Sequence, residues 1–155
     1  MDVQQFVKQF PEKEYLSSKV FVGEKIILMR PKSFLTGVQV VWEDYHFSLP
    51  VLPTPPIRIG RKEYRFKQER LLVFHPDSDA LVTGTAPCRD YYAITVDRNL
   101  VLDTAWEMTG KRALQAAKTE NVYSRQLINS ILNFRQEALN TSQPSPLMLQ
   151  SVSLQ

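Results

Sequence analysis

Residues 57–96, IRIGRKEYRFKQERLLVFHPDSDALVTGTAPCRDYYAITV, constrain the fold of this chain more than any other stretch. Short apolar runs alternate there with turn residues. Ile57–Ile59 and Lys62–Phe66 flank the two-residue loop Gly60-Arg61, and glycine at the first loop position suits a type II′ hairpin turn, which needs positive φ there. That loop sets the register: Ile57 opposite Tyr64, Arg58 opposite Glu63, Ile59 opposite Lys62. One face then collects Ile57, Ile59, Tyr64 and Phe66, while the other pairs Arg58 with Glu63. Leu71–Phe74, Ala80–Thr83 and Tyr91–Val96 read as further strands, divided by the turn cluster His75–Asp79 and the loop Gly84–Asp90. Short strands in series with turns between them predict a sandwich or barrel.

The flanking segments extend this pattern on one side and end it on the other. Val20–Val22 and Ile26–Met29 flank Gly23-Glu24-Lys25 as two more strands, and Pro31 stops the second from continuing in a ladder. Val38–Val41 is β-branched. Tyr45–Leu49 alternates with period two, so Tyr45, Phe47 and Leu49 share one face and His46 and Ser48 the other. Pro50, Pro53, Pro55 and Pro56 then make a stiff, extended connection. Asp97 is a good N-cap for a helix over 98–109, and Gly110 suits its C-terminal stop. Ser124 is a second N-cap. Beyond it Leu127, Ile131, Phe134 and Ala138 repeat at helical spacing as far as residue 140. That stripe serves equally as a helix docked on its own domain or as a short coiled-coil seam with a second subunit. Residues 1–19 read as an N-terminal arm with Phe6 and Phe10 four apart. Residues 141–155 read as a Pro-containing linker leading into a helix that starts at Pro146 and carries no stop signal before Gln155.

Composition narrows the function classes. At 155 residues, 43% hydrophobic and 23% charged, the chain has the make-up of one soluble globular domain. The net charge of +3 comes from scattered residues, not from a stripe that would grip DNA. One cysteine, Cys88, rules out an intrachain disulfide and fits a reducing compartment. No run is long enough to span a bilayer and no apolar signal core follows Met1, so the expectation is a cytoplasmic protein without membrane partners. His46 and His75 are the only histidines and no His-x-His occurs, so neither a metal site nor any other cofactor is expected. Cys88 has no histidine near it in sequence, and no glycine-rich phosphate cradle exists, so no catalytic residue is assigned.

The order hairpin, "KEYRF", "LLVFHP", polar turn, then "YYAITVDRNLV" running into a helix resembles the N-terminal domain of AraC-type transcription regulators. The resemblance covers roughly Gly37 to the end; where the family usually shows Pro-Gly before "LLVF", this chain has Gln68-Glu69. It implies a mainly β fold with C-terminal helices: a cupin-like double-stranded β-helix barrel over 20–96 and a helical dimerisation segment over 97–140. It also implies that the barrel binds a small-molecule effector and that the chain is a homodimer. DNA would be contacted only through a C-terminal helix-turn-helix domain beyond this chain. With the resemblance in hand the second helix is expected to form a dimer interface through Leu127, Ile131 and Phe134.

An apolar, aromatic interior with a few polar groups is the usual lining of a small-molecule pocket. The ligand-binding candidates are Trp42, His46, Tyr64, Phe66, Phe74 and Tyr92, with His46, Arg30 or Arg89 giving polarity at the mouth. A barrel this small can also be filled by these side chains. The second functional class left open is a stand-alone cupin-like enzyme, an isomerase or oxygenase acting on a small polar substrate.

Overall fold

The computed structural model describes residues 18–31, 34, 36–50, 53–67, 69–84, 91–112 and 118–140. The expectations for the arm up to Ser17, for Cys88 and Arg89, and for 141–155 lie outside them. Ten strands and two helices follow in order: β1 Lys19–Val22, β2 Ile26–Arg30, β3 Gln39–Val41, β4 Tyr45–Leu49, β5 Ile57–Ile59, β6 Lys62–Tyr64, β7 Leu71–Phe74, β8 Asp79–Val82, β9 Tyr92–Val96, α1 Arg98–Thr109, β10 Glu120–Asn121 and α2 Arg125–Asn140.

The strands form two antiparallel sheets, one of six strands in the order β1-β2-β9-β4-β7-β10 and one of four in the order β3-β8-β5-β6. The described residues are therefore mainly β with two helices. The expected closed barrel is not found: among the described residues no ladder joins the sheets, which meet face to face through side chains. Ile27, Met29, Leu72, Phe74 and Ala93 of the larger sheet pack there against Val40 and Ile57 of the smaller one. The opposite face of the larger sheet is covered by the helices, where Ile26, Leu28, Leu49 and Val96 meet Leu100 of α1 and Ile131 and Phe134 of α2. The result is three layers, with the six-stranded sheet buried on both faces.

Local chemistry explains the elements. The β5–β6 hairpin has the register that its loop dictates, Ile57↔Tyr64, Arg58↔Glu63 and Ile59↔Lys62. Gly60 has φ 58° while Arg61 does not take positive φ, as a type II′ turn requires. At the N-terminus of α1 the Asp97 carboxylate accepts from the N–H groups of Asn99 at 3.0 Å and Leu100 at 3.1 Å. The Asp44 carboxylate, just before β4, accepts the Arg98 N–H at 2.8 Å, which ties the helix start to the sheet. Burial holds the Asp44 carboxyl above its usual range, against the lowering effect of that hydrogen bond. Gly110 ends α1 in the left-handed region, φ 68°. Ser124 caps α2 through its hydroxyl, which accepts the Leu127 N–H at 3.3 Å.

Glu69 takes φ 52°, a conformation that costs an L-residue about 1–2 kcal/mol. It occupies the second position of the Gln68-Glu69 pair, where the AraC-type pattern carries glycine. Glu69→Gly is expected to stabilise the chain by about 0.5–1 kcal/mol, the relief of strain less the entropy that glycine loses on folding. Chemical denaturation of the two proteins checks this; an unchanged or lower midpoint would contradict it.

Candidate ligand site

The space between the two sheets is not completely filled. A cavity of about 80 Å³ lies there, lined mainly by apolar side chains, with His46 and Ser48 of β4 on its wall. Ring and hydroxyl groups around His46 form one connected unit. The imidazole lies parallel to the Trp42 indole, with centroids 3.6 Å apart and planes at 6°. Its Nδ1 is 3.0 Å from Thr95 Oγ1, and its Nε2 is 3.3 Å from Ser48 Oγ. Thr95 stands opposite His46 in the β4–β9 ladder, which explains the first contact. Ser48 lies two residues on, hence on the same face of β4, which explains the second.

His46 is only 4% exposed. Burial lowers its pKa to about 3, because charging the ring in this apolar surrounding forfeits its hydration. At neutral pH the ring is uncharged, with one nitrogen donating and the other accepting. Both hydroxyls can do either, so the pairs with Thr95 and Ser48 suit both tautomers. The unit is a neutral hydrogen-bonding patch in an otherwise apolar chamber.

Three of the six candidate ligand residues, Trp42, His46 and Phe74, come together on this cavity. His46 stands in its wall and not at the mouth. Tyr64 and Phe66 belong to the same core but to its packing; their rings stack with centroids 5.5 Å apart, and neither lines the cavity. Tyr92 must be corrected. It faces the helices, where its hydroxyl accepts a hydrogen bond from Arg135 Nη1 at 3.1 Å. The residue that reaches the cavity is its neighbour Tyr91, stacked on Phe34 with centroids 4.7 Å apart. A shift of one residue exchanges the two faces of a strand. On a strand buried on both sides, apolar alternation does not say which face is inward.

The expected dimer residues also find other neighbours. Ile131 and Phe134 are 5% and 2% exposed within the single chain, packed on the outer face of the larger sheet, and Leu127 is half-buried beside them. The 4-3-4 spacing marks a helix docked on its own domain, so these residues do not stand free to meet a second subunit. Leu132 and Leu139, 40% and 58% exposed and one heptad apart, are large apolar residues that α2 presents to solvent.

Among the described residues no three His, Cys, Asp or Glu side chains converge as metal ligands would. No helix of the described residues is long and apolar enough to cross a membrane. No family model matches the sequence, and no curated protein matches it.

Proposed function

We propose that this chain is the effector-sensing domain of a DNA-binding transcription regulator of AraC type, with its two facing sheets forming a cupin-like fold. The reading rests on the sequence resemblance and on one structural observation. A neutral polar unit, His46 with Ser48 and Thr95, opens onto a cavity inside an apolar sandwich. Buried polar groups in an apolar chamber orient a bound molecule and reject analogues that leave them unpaired. The effector is small, uncharged and able to exchange hydrogen bonds with a hydroxyl, and Trp42 provides a flat surface beside it.

The same unit argues against the enzymatic alternative. A histidine with a pKa near 3 holds no imidazolium proton at neutral pH and is a weak base, although its neutral ring still donates one hydrogen bond and accepts another. Binding suits it better than general acid–base chemistry. In this reading α1 and α2 carry the signal to a second subunit and to a DNA-reading domain. The subunit contact in this reading uses Leu132 and Leu139 on the exposed side of α2.

Tryptophan emission tests the site. Trp106 is exposed and Trp42 buried, so a Trp106→Phe chain reports from the cavity alone. Small neutral polyols and amides are expected to change that emission saturably, and Ser48→Val to weaken the response by about tenfold through loss of a buried hydrogen bond. A response that Ser48→Val leaves unchanged would remove the cavity from consideration. The coding sequence downstream of Gln155 separates the two classes: a helix-turn-helix pattern there supports the regulator, and an immediate stop codon refutes it.

A further inference from the structure

A second, larger cavity lies on the other side of the six-stranded sheet, beneath the two helices. It has a volume of about 300 Å³, at the lower end of the ~300–1,000 Å³ range of small-molecule pockets. Its floor takes residues from four neighbouring strands: Leu28 of β2, Ile94 of β9, Phe47 of β4 and Leu71 of β7. Three inter-strand spacings separate the first from the last, so the floor is about 14 Å across. The roof is α1 on one side and α2 on the other. α1 rises away from the sheet along its length: Leu100 is buried, Ala105 is half-buried, and Met108, though still on the cavity, is 76% exposed. The cavity is thus a wedge, closed near Leu100 and open at Met108.

The lining defines the occupant. None of the described residues around the cavity is charged, so among them an ion finds no counter-charge. Among the described lining residues the hydroxyls are those of Thr104 and Ser130. The Thr104 hydroxyl donates to the Leu100 carbonyl at 2.8 Å, and Ser130 likewise has a partner. Nothing in the wall demands a hydrogen bond from a guest, and an apolar guest leaves nothing unsatisfied. The geometry points to a second ligand site on this chain, one that takes a neutral, elongated apolar small molecule laid across the strands beneath α1. The site stands on its own cavity and does not depend on what the His46 chamber binds.

The test uses the full chain and the neutral fluorescent probe N-phenyl-1-naphthylamine, displaced by straight-chain alcohols from hexanol to dodecanol. One probe is expected per chain, at a ratio independent of protein concentration. Alcohol affinity should rise about fourfold per methylene and level off when the chain outgrows the floor. Ala105→Phe, which fills the wedge, should weaken probe and alcohols by about tenfold or more with the circular dichroism spectrum unchanged. Should Ala105→Phe disturb folding, Met108→Trp at the open end gives the same blockade from an exposed position. Decanoate should displace the probe at least about tenfold less well than decanol, because no cation stands among the described lining residues. Failure of the alcohols to displace the probe, affinity independent of their length, or probe binding untouched by both variants would each overturn the site. Decanoate equal to or better than decanol would overturn the neutral class. Probe lost as the protein self-associates would assign the wedge to a second copy of the chain and overturn the small-molecule assignment.

Discussion

Phe134→Ala lowers the folding stability of this chain by about 3–5 kcal/mol, and Ile131→Asp leaves no cooperatively folded protein. Phe134 is 2% exposed and sits with Ile131 between α2 and the strands that carry Phe21, Leu28 and Leu49. Removing the ring takes away its apolar burial and leaves a hole that α2, held along its length by Leu127 and Ile131, cannot close. An aspartate at 131 places an unpaired charge in the same layer. Domains of this size are stable by about 5–15 kcal/mol, so either change consumes a large part of the margin. Leu132→Glu and Leu139→Glu, on the exposed stripe of the same helix, should shift stability by no more than about 0.5 kcal/mol. Urea unfolding followed by circular dichroism makes the comparison. A Phe134→Ala chain with the wild-type midpoint but a smaller sedimentation coefficient would mean that this residue joins subunits and not layers.

The second large effect is acid lability from His46. In the unfolded chain its imidazole titrates near its ordinary 6.5; in the fold its pKa is about 3. As pH falls below 6.5 the unfolded chain binds a proton that the folded chain refuses, so unfolding is favoured. The loss is about 1.4 kcal/mol per pH unit across that window, about 5 kcal/mol in all. His46→Gln keeps a polar side chain beside Ser48 and Thr95 but does not titrate. It should be less stable than the wild type at pH 7 and should lose about 3 kcal/mol less on going to pH 4. The Asp44 carboxyl and the other acids are common to both proteins and cancel in the difference. Parallel stability-versus-pH curves for the two would show that His46 is charged or solvated in the fold.

Much of the architecture is written in short-range chemistry. Gly60-Arg61 sets the hairpin register, Asp97 and Gly110 bound α1, and the strand cores of β2, β4, β7 and β9 follow from runs of apolar and β-branched residues. The element that escaped is β10, whose two residues Glu120 and Asn121 have no periodicity of their own. They are in a sheet because Leu71 and Leu72 of β7 present an open edge to them. The candidate site was legible at His46, which stands out on an apolar strand; Ser48, on the same face, and Thr95, on the neighbouring strand, were not singled out. It was illegible at Tyr91 and Tyr92, because two tyrosines side by side fit both faces of a strand covered on each side. The role of α2 was ambiguous for a related reason. An apolar stripe needs a cover, and spacing does not say whether its own sheet or another chain supplies it.

An ordinary surface strand alternates a constrained residue with a free one, and the free positions are where a sequence can wander without cost. β2, β4 and β9 have no such positions. His46, Ser48 and Ala93 face the inner chamber while Phe47, Ile94 and Val96 face the wedge beneath the helices. Along these strands, residues that line one compartment sit next to residues that line the other. A substitution that reshapes one wall moves the backbone that carries the other. The two cavities therefore cannot diversify independently: a lineage that changed what one of them holds would have to re-tailor the other in the same steps.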